Sequence, residues 1–169
     1  MLKQHRYLGH FNKSKGNTVG LFFRASRFFC AKLWYPQFTT GRTAIVALLE
    51  DRITGRRLIA ACTHLSVPKD RNGDFNTIRG MQELHELDQF LRTQQQRLDP
   101  MTHAPPPVVL GLDANSVPGH FVGVAPPHVY NYLFQNMCFH SSYKSVLGSE
   151  PPYTSVKASF RHCIDYIAF

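Results

Sequence analysis

Four side chains in this sequence have the types and settings to handle a phosphate group. Asp113 and Asn115 close the apolar run Val108–Leu112, in Leu110-Gly111-Leu112-Asp113-Ala114-Asn115-Ser116. His64 follows the run Leu58–Thr63, and Asp165 stands inside His162-Cys163-Ile164-Asp165-Tyr166-Ile167. Alternation along a strand predicts Asp113 and Asn115 on one face where the strand runs out. A carboxylate and an amide so placed could polarise or orient one attacking water. Asp165 offers the oxygen ligand that Mg²⁺ (or Mn²⁺) prefers, with room for waters and phosphate oxygens. His64 could meet the phosphate or protonate the departing oxygen. Each residue also has a plainer reading. Asp-x-Asn is usually a turn that bonds its own backbone, Thr-His at a strand end is more often structural, and Asp165 could cap a loop.

Strands must carry these residues to one place. Runs rich in β-branched and aromatic residues predict strands at Thr18–Phe23, Thr43–Leu49, Leu58–Thr63, Val108–Leu112 and Ile164–Phe169. Asp51-Arg52-Ile53-Thr54-Gly55 reads as a hairpin connection. Ile78, Met81, Leu84, Leu87 and Leu91 recur at helical steps, with Asp74 or Asn76 as the cap. A shorter helix is expected over Val129–Met137, and Pro100 with Ala104-Pro105-Pro106-Pro107 makes a loop. Strands mixed with helices in one domain predict an α/β layered sandwich.

Composition narrows the class. The chain has 169 residues, 43% of them hydrophobic, which suits a globular domain and excludes disorder. No apolar stretch approaches the ~18 residues of a spanning helix, so no membrane partner is expected. The formal charge is +8, and Lys3, Arg6, Lys13, Lys15, Arg24, Arg27, Lys32 and Arg42 all precede the first acid, Glu50. Such one-sided charge suits nucleic acid or a phosphorylated cofactor, the alternative being an ordinary basic surface. Cys30, Cys62, Cys138 and Cys163 form no CxxC pair or zinc-finger spacing, and Cys62 and Cys163 lie in apolar runs as small core residues. A reducing compartment fits, with the cytoplasm expected and mitochondria or nucleus as alternatives.

The order of the motifs is more specific than any one of them. His64-Leu65, then Asp113-x-Asn115-Ser116-x-Pro118, then Asp165-Tyr166-Ile167 resembles the endonuclease/exonuclease/phosphatase superfamily. Ser149-Glu150-Pro151-Pro152-Tyr153-Thr154 looks like its branch of deadenylases, Angel proteins and nocturnin. Ser142-Tyr143-Lys144, Arg161–Ile167 and the helix with Arg79-x-x-Gln82 are most similar to nocturnin. Asn17–Arg24, with Arg27-Phe28, is similar to the branch's Gly-x-x-Phe-Phe strand. The resemblance implies a two-sheet α/β sandwich (four-layer αββα, DNase-like) with the site at one sheet edge, and a Mg²⁺-dependent phosphoesterase. The leading expectation is a deadenylase-like 3′–5′ exoribonuclease acting on poly(A) RNA. The alternatives are a phosphatase removing the 2′-phosphate of NADP(H), and a degenerate module that binds RNA or protein. Asp113 and Asn115 would prepare the attacking water, and His64 would contact the scissile phosphate. Asp165, with Asp113, would hold the metal. Phe160, Arg161 and Ser155 fall in the substrate-binding segment, Phe160 where deadenylases stack a base and Arg161 where nocturnin has a basic residue. Gly73-Asp74-Phe75-Asn76 spells the water-orienting motif well but has no strand before it, and is set aside.

The sequence departs from the family's pattern in named places. The family's metal-binding Glu, in a Leu-Gln-Glu context, precedes the Gly-x-x-Phe-Phe strand, whereas here no Glu precedes Glu50. The closing Ser-Asp-His has no counterpart before Phe169. Leu112 replaces a Gly, Ser155 replaces an Asn, and Ser66 and Pro68 stand where nocturnin has Lys and Arg, with Lys69 nearby. These departures predict that residues 1–169 are a partial domain, incomplete at both ends, with little activity alone.

Overall fold

The run Ala44-Ile45-Val46-Ala47-Leu48-Leu49 is apolar at every position, which requires a strand covered on both faces. A computed structural model shows how both faces are covered; it describes residues 6–14, 17–67, 79–98, 104–119, 127–157 and 160–169. In chain order its elements are β1 (Tyr7–Ser14), β2 (Asn17–Arg24), β3 (Phe28–Trp34), β4 (Ala44–Asp51), β5 (Arg57–His64), α1 (Arg79–Leu98), β6 (Val108–Asp113), α2 (His128–Asn131), α3 (Ser142–Leu147), β7 (Ser155–Lys157), β8 (Phe160–His162) and β9 (Asp165–Ala168).

One sheet has the order β3-β4-β5-β6-β9, and β1 and β2 pair as a separate antiparallel hairpin. Ala44, Val46 and Leu48 point into a core shared with Met81, Leu84, Leu87 and Leu91 of α1. Ile45, Ala47 and Leu49 point the other way, against Val19, Leu21 and Phe23 of the hairpin. The protein is therefore an α/β sandwich of two stacked sheets with helices outside, as the sequence implied. Burial of this many aliphatic side chains, at about 25 cal/mol per Å² of apolar surface, is what fixes the two layers together.

The connections decide where the site falls. β5 and β6 are parallel, so a crossover must return the chain, and it includes α1. Their C-terminal ends therefore lie side by side. β9 runs antiparallel to β6, which brings its first residue to that same edge.

Several elements differ from expectation. β1 and β3 were not predicted: β1 turns polar His10 and Asn12 toward the facing sheet, where Asn12 Nδ2 donates to Thr43 Oγ1 at 2.5 Å. β3 carries a register shift between Cys30 and Lys32, which spoils its alternation. The expected helix over 129–137 is a short α2 that opens into a π-helical turn at Tyr132–Asn136. α3 and the β7–β8 hairpin were not read from the sequence, although Ser141 caps α3 and Gly148 ends it with φ 79°. Ile78 and the proposed caps Asp74 and Asn76 lie outside the described residues. Cys163 is buried as expected, while Cys62 is half-buried.

Candidate active site

Strand register alone aligns three of the four residues. His64 of β5 pairs with Asp113 of β6, and Asp113 pairs with Asp165 of β9. Residues paired across neighbouring strands share a face, and strands lie about 4.8 Å apart, so the three side chains occupy one row about 10 Å wide. The row faces away from the helices, because its neighbours Leu112 and Tyr166 point into the helical core. Next to it on the same face, Gly111 leaves open floor: a Cβ there would meet nothing within 4 Å.

The row is electrostatically uneven. Nε2 of His64 stands 3.5 Å from Oδ2 of Asp113, an attraction just beyond ordinary hydrogen-bond length. Burial pushes the Asp113 carboxyl above its usual range; the backbone N–H of Asn115, His64 and Arg42 oppose the shift, and Asp165 adds to it. Two carboxylates side by side in a half-buried setting repel each other, which makes this a place where a cation is welcome.

Asn115 reaches the row by a different route from the one its spacing suggested. The strand ends at Asp113, and Asn115 takes the left-handed conformation, φ 47°, which Asn tolerates better than most residues. Its N–H donates to Asp113 Oδ1 at 3.0 Å, so the Asp-x-Asn turn does form. Its Nδ2 donates to the Leu65 carbonyl at 2.8 Å, which ties it to the end of β5. The turn and the site are the same structure. Among the described residues no hydrogen bond uses Asn115 Oδ1, leaving it to accept from a water.

Three supporting residues escaped the sequence reading. Thr154 Oγ donates to Asp165 Oδ2 at 2.7 Å and accepts the N–H groups of Ile164 and Asp165 at 3.0 Å each. Arg42 donates from Nη1 to the His64 carbonyl at 3.0 Å. Glu83 of α1 is fully buried; its oxygens accept from Ser66 N and Oγ and from Thr40 Oγ1, each at 2.6 Å. It thereby pins the corner after His64 to the loop that carries Arg42. Gly80 permits this approach, since a Cβ would fall 2.8 Å from the Ser66 carbonyl oxygen. Only Thr154 had a signal in the sequence, as the last residue of Pro151-Pro152-Tyr153-Thr154.

The expected substrate-binding residues lie in the β7–β8 hairpin. Ser155 follows Thr154 and pairs with His162, so it borders the row through its neighbour. Arg161 is exposed and stacks over Tyr153, 5.6 Å from the ring centroid, so the aromatic beside this cation is Tyr153. Phe160 pairs through its backbone with Lys157, and its side chain lies outside what the structure describes. The Gly73–Asn76 motif also lies outside the described residues.

No cluster of three or more His, Cys, Asp or Glu that could hold a metal occurs among the described residues. Mg²⁺ does not require one, since it commonly takes one or two carboxylates and completes its shell with water and phosphate. Asp113 and Asp165, paired across β6 and β9, would supply two carboxylates of that kind.

No family model and no curated protein matches this chain. Solved structures do. The human nocturnin catalytic domain, determined with a bound sulfate anion, matches with TM-score 0.72 and 26% identity, over 99% of this chain and 62% of that one. ANGEL2, a 2′,3′-cyclic phosphatase in complex with adenosine-2′,3′-vanadate, matches with TM-score 0.66 and 17% identity, over 99% and 64%. An endonuclease/exonuclease/phosphatase from Bacteroides vulgatus gives 0.62 and 16%, over 96% and 64%. The chain has the endonuclease/exonuclease/phosphatase fold. At 16–17% identity the latter two attest the fold alone. This chain spans 62% of the length of the nocturnin domain.

Proposed function

We propose that this chain is the phosphate-handling part of a divalent-metal phosphoesterase whose substrate is polyadenylate, cleaved from the 3′ end to release 5′-nucleotides. The observation that carries the reading is the row His64–Asp113–Asp165, aligned by register across three adjacent strands. Asp113, at the centre of the row, would take a proton from a bound water. Asn115, fixed by its bond to Leu65, turns Oδ1 toward that water and sets its direction of attack. His64 meets a phosphate oxygen from the far end of the row, and Arg42 holds the His64 peptide in place. Asp165, steadied by Thr154, would hold a Mg²⁺ or Mn²⁺ ion together with Asp113. When bound, that ion neutralises phosphate charge.

Binding of Mn²⁺ tests the site without requiring turnover. Paramagnetic broadening should centre on the amides of Asp113, Asp165 and their neighbours, and Asp165→Asn should remove it. Broadening elsewhere, or none, would overturn the assignment. Hydrolysis of labelled oligo(A) measured beside phosphate release from NADPH then separates the polymer reading from the dinucleotide one.

A further inference from the structure

The opposite end of the five-stranded sheet carries a second concave feature that the phosphate row does not use. A cavity of about 640 Å³ is lined by Arg27, Arg56, Arg57, Phe28 and the prolines Pro105–Pro107. Two turns build it. The β4–β5 turn is closed by Gly55 N donating to the Asp51 carbonyl, with Gly55 at φ 69°. Arg52 locks this turn to the one between β2 and β3, its N–H donating to the Arg27 carbonyl and its Nε to the Ala25 carbonyl, both at 2.9 Å. Its guanidinium also lies over the half-exposed ring of Phe29. Arg27 neutralises Asp51 through a 2.6 Å ion pair. Among the described residues neither Arg56 nor Arg57 makes an ion pair, although Glu50 lies opposite Arg57 across the strands. Both arginines are exposed.

We propose that this arginine-lined cavity is a secondary binding site for single-stranded nucleic acid, holding the part of the strand that lies beyond the catalytic edge. Guanidinium groups match phosphate oxygens in a two-pronged geometry. The distance suits a polymer and no mononucleotide. β5 runs from Arg57 at the cavity to His64 at the row, eight residues, or about 23 Å at 3.3 Å per step. A strand of several nucleotides is needed to touch both places. The site deepens the polyadenylate reading, since it would make long strands better ligands than short ones.

The test measures binding, in the presence of a chelator so that no hydrolysis enters, by fluorescence anisotropy of a labelled trinucleotide and a roughly 20-nucleotide oligo(A). The double variant Arg56→Ala/Arg57→Ala removes two exposed cations and leaves the turn-forming Arg27 and Arg52 in place. Expected for the long strand is about a tenfold loss of affinity, with a salt dependence shallower by about 1.4 in the log–log slope, and little change for the trinucleotide. Equal losses for both lengths, or an unchanged slope, would overturn the proposal. So would polyglutamate binding as tightly as the long strand and falling with the same variant, which would identify an acidic protein segment as the ligand. None of these results depends on His64, Asp113 or Asp165, so a failed cavity leaves the reading of the row standing.

Discussion

The two ends of the five-stranded sheet treat their aspartates in opposite ways. Asp51, where β4 turns toward β5, accepts the N–H groups of Ile53 and Thr54 and pairs with Arg27. The Ile53 N–H is the foremost reason its carboxyl is held below the usual range. Asp113, where β6 ends, is pushed the other way by burial, with a second carboxylate beside it. One end uses its charge to close a turn. The other holds a charge at a disadvantage, which is the condition that makes a base reactive and a cation welcome. Local strain of this kind costs stability and is sustained by the packing around it.

The sharpest way to break this contrast is to neutralise each aspartate in turn. Asp113→Asn keeps the shape of the turn and removes the base, so whatever phosphoester hydrolysis the parent shows should fall by roughly 10²–10⁴-fold. Stability should move the other way. Because the folded-state value of Asp113 lies above the unfolded one, its stabilising contribution is present below the unfolded value and lost as pH rises through the folded value. The variant should therefore melt higher than the parent at pH 7 in metal-free buffer, and the gap should close in acid. Lower melting at pH 7 would mean that Asp113 is not held under strain.

Glu83→Ala probes the scaffold behind that end of the sheet. It strips Ser66 N–H and the hydroxyls of Ser66 and Thr40 of a buried acceptor, at a cost of about 2–4 kcal/mol. A melting temperature lower by roughly 5–12 °C is expected in calorimetry. Thr154→Val leaves two N–H groups and Asp165 without a partner. That should cost about 1–3 kcal/mol and weaken Mn²⁺ binding about 10- to 100-fold, with Thr154→Ser restoring most of it. Equal Mn²⁺ affinity in the valine variant would remove Thr154 from the site.

Asp51→Asn should have the smallest effect and the opposite pH sign from Asp113→Asn. The folded value of Asp51 is lowered, so its contribution is present above the unfolded value and lost as pH falls through the folded one. The variant should melt lower at pH 7, and parent and variant should converge in strong acid. Divergence in acid would reverse the contrast between the two ends.

Much of this was legible in the chain. The runs at 43–49, 58–63 and 108–112 became β4, β5 and β6 with their ends displaced by at most two residues, because strands that bury at least one face are rich in apolar and β-branched residues. Met81, Leu84, Leu87 and Leu91 marked the buried face of α1 by spacing alone. β1 and β3 were not, since one buries polar groups that find partners only in the folded protein and the other is bulged. Asn115 was legible as a residue and misjudged as geometry, because alternation ceases where the strand ends.

By itself, then, the sequence determined the segments that became β2, β4, β5, β6, β9 and α1, which residues bear reactive groups, and in what order they occur. It did so because periodicity and residue chemistry are local properties. Only the tertiary structure decided that residues 64, 113 and 165 form one row, that Thr154, Arg42 and Glu83 support it, and that Arg27, Arg56 and Arg57 meet around one cavity. Those juxtapositions follow from strand pairing and helix docking between segments far apart in the chain. Such pairings are selected by the joint burial of two apolar faces, a quantity no single segment possesses.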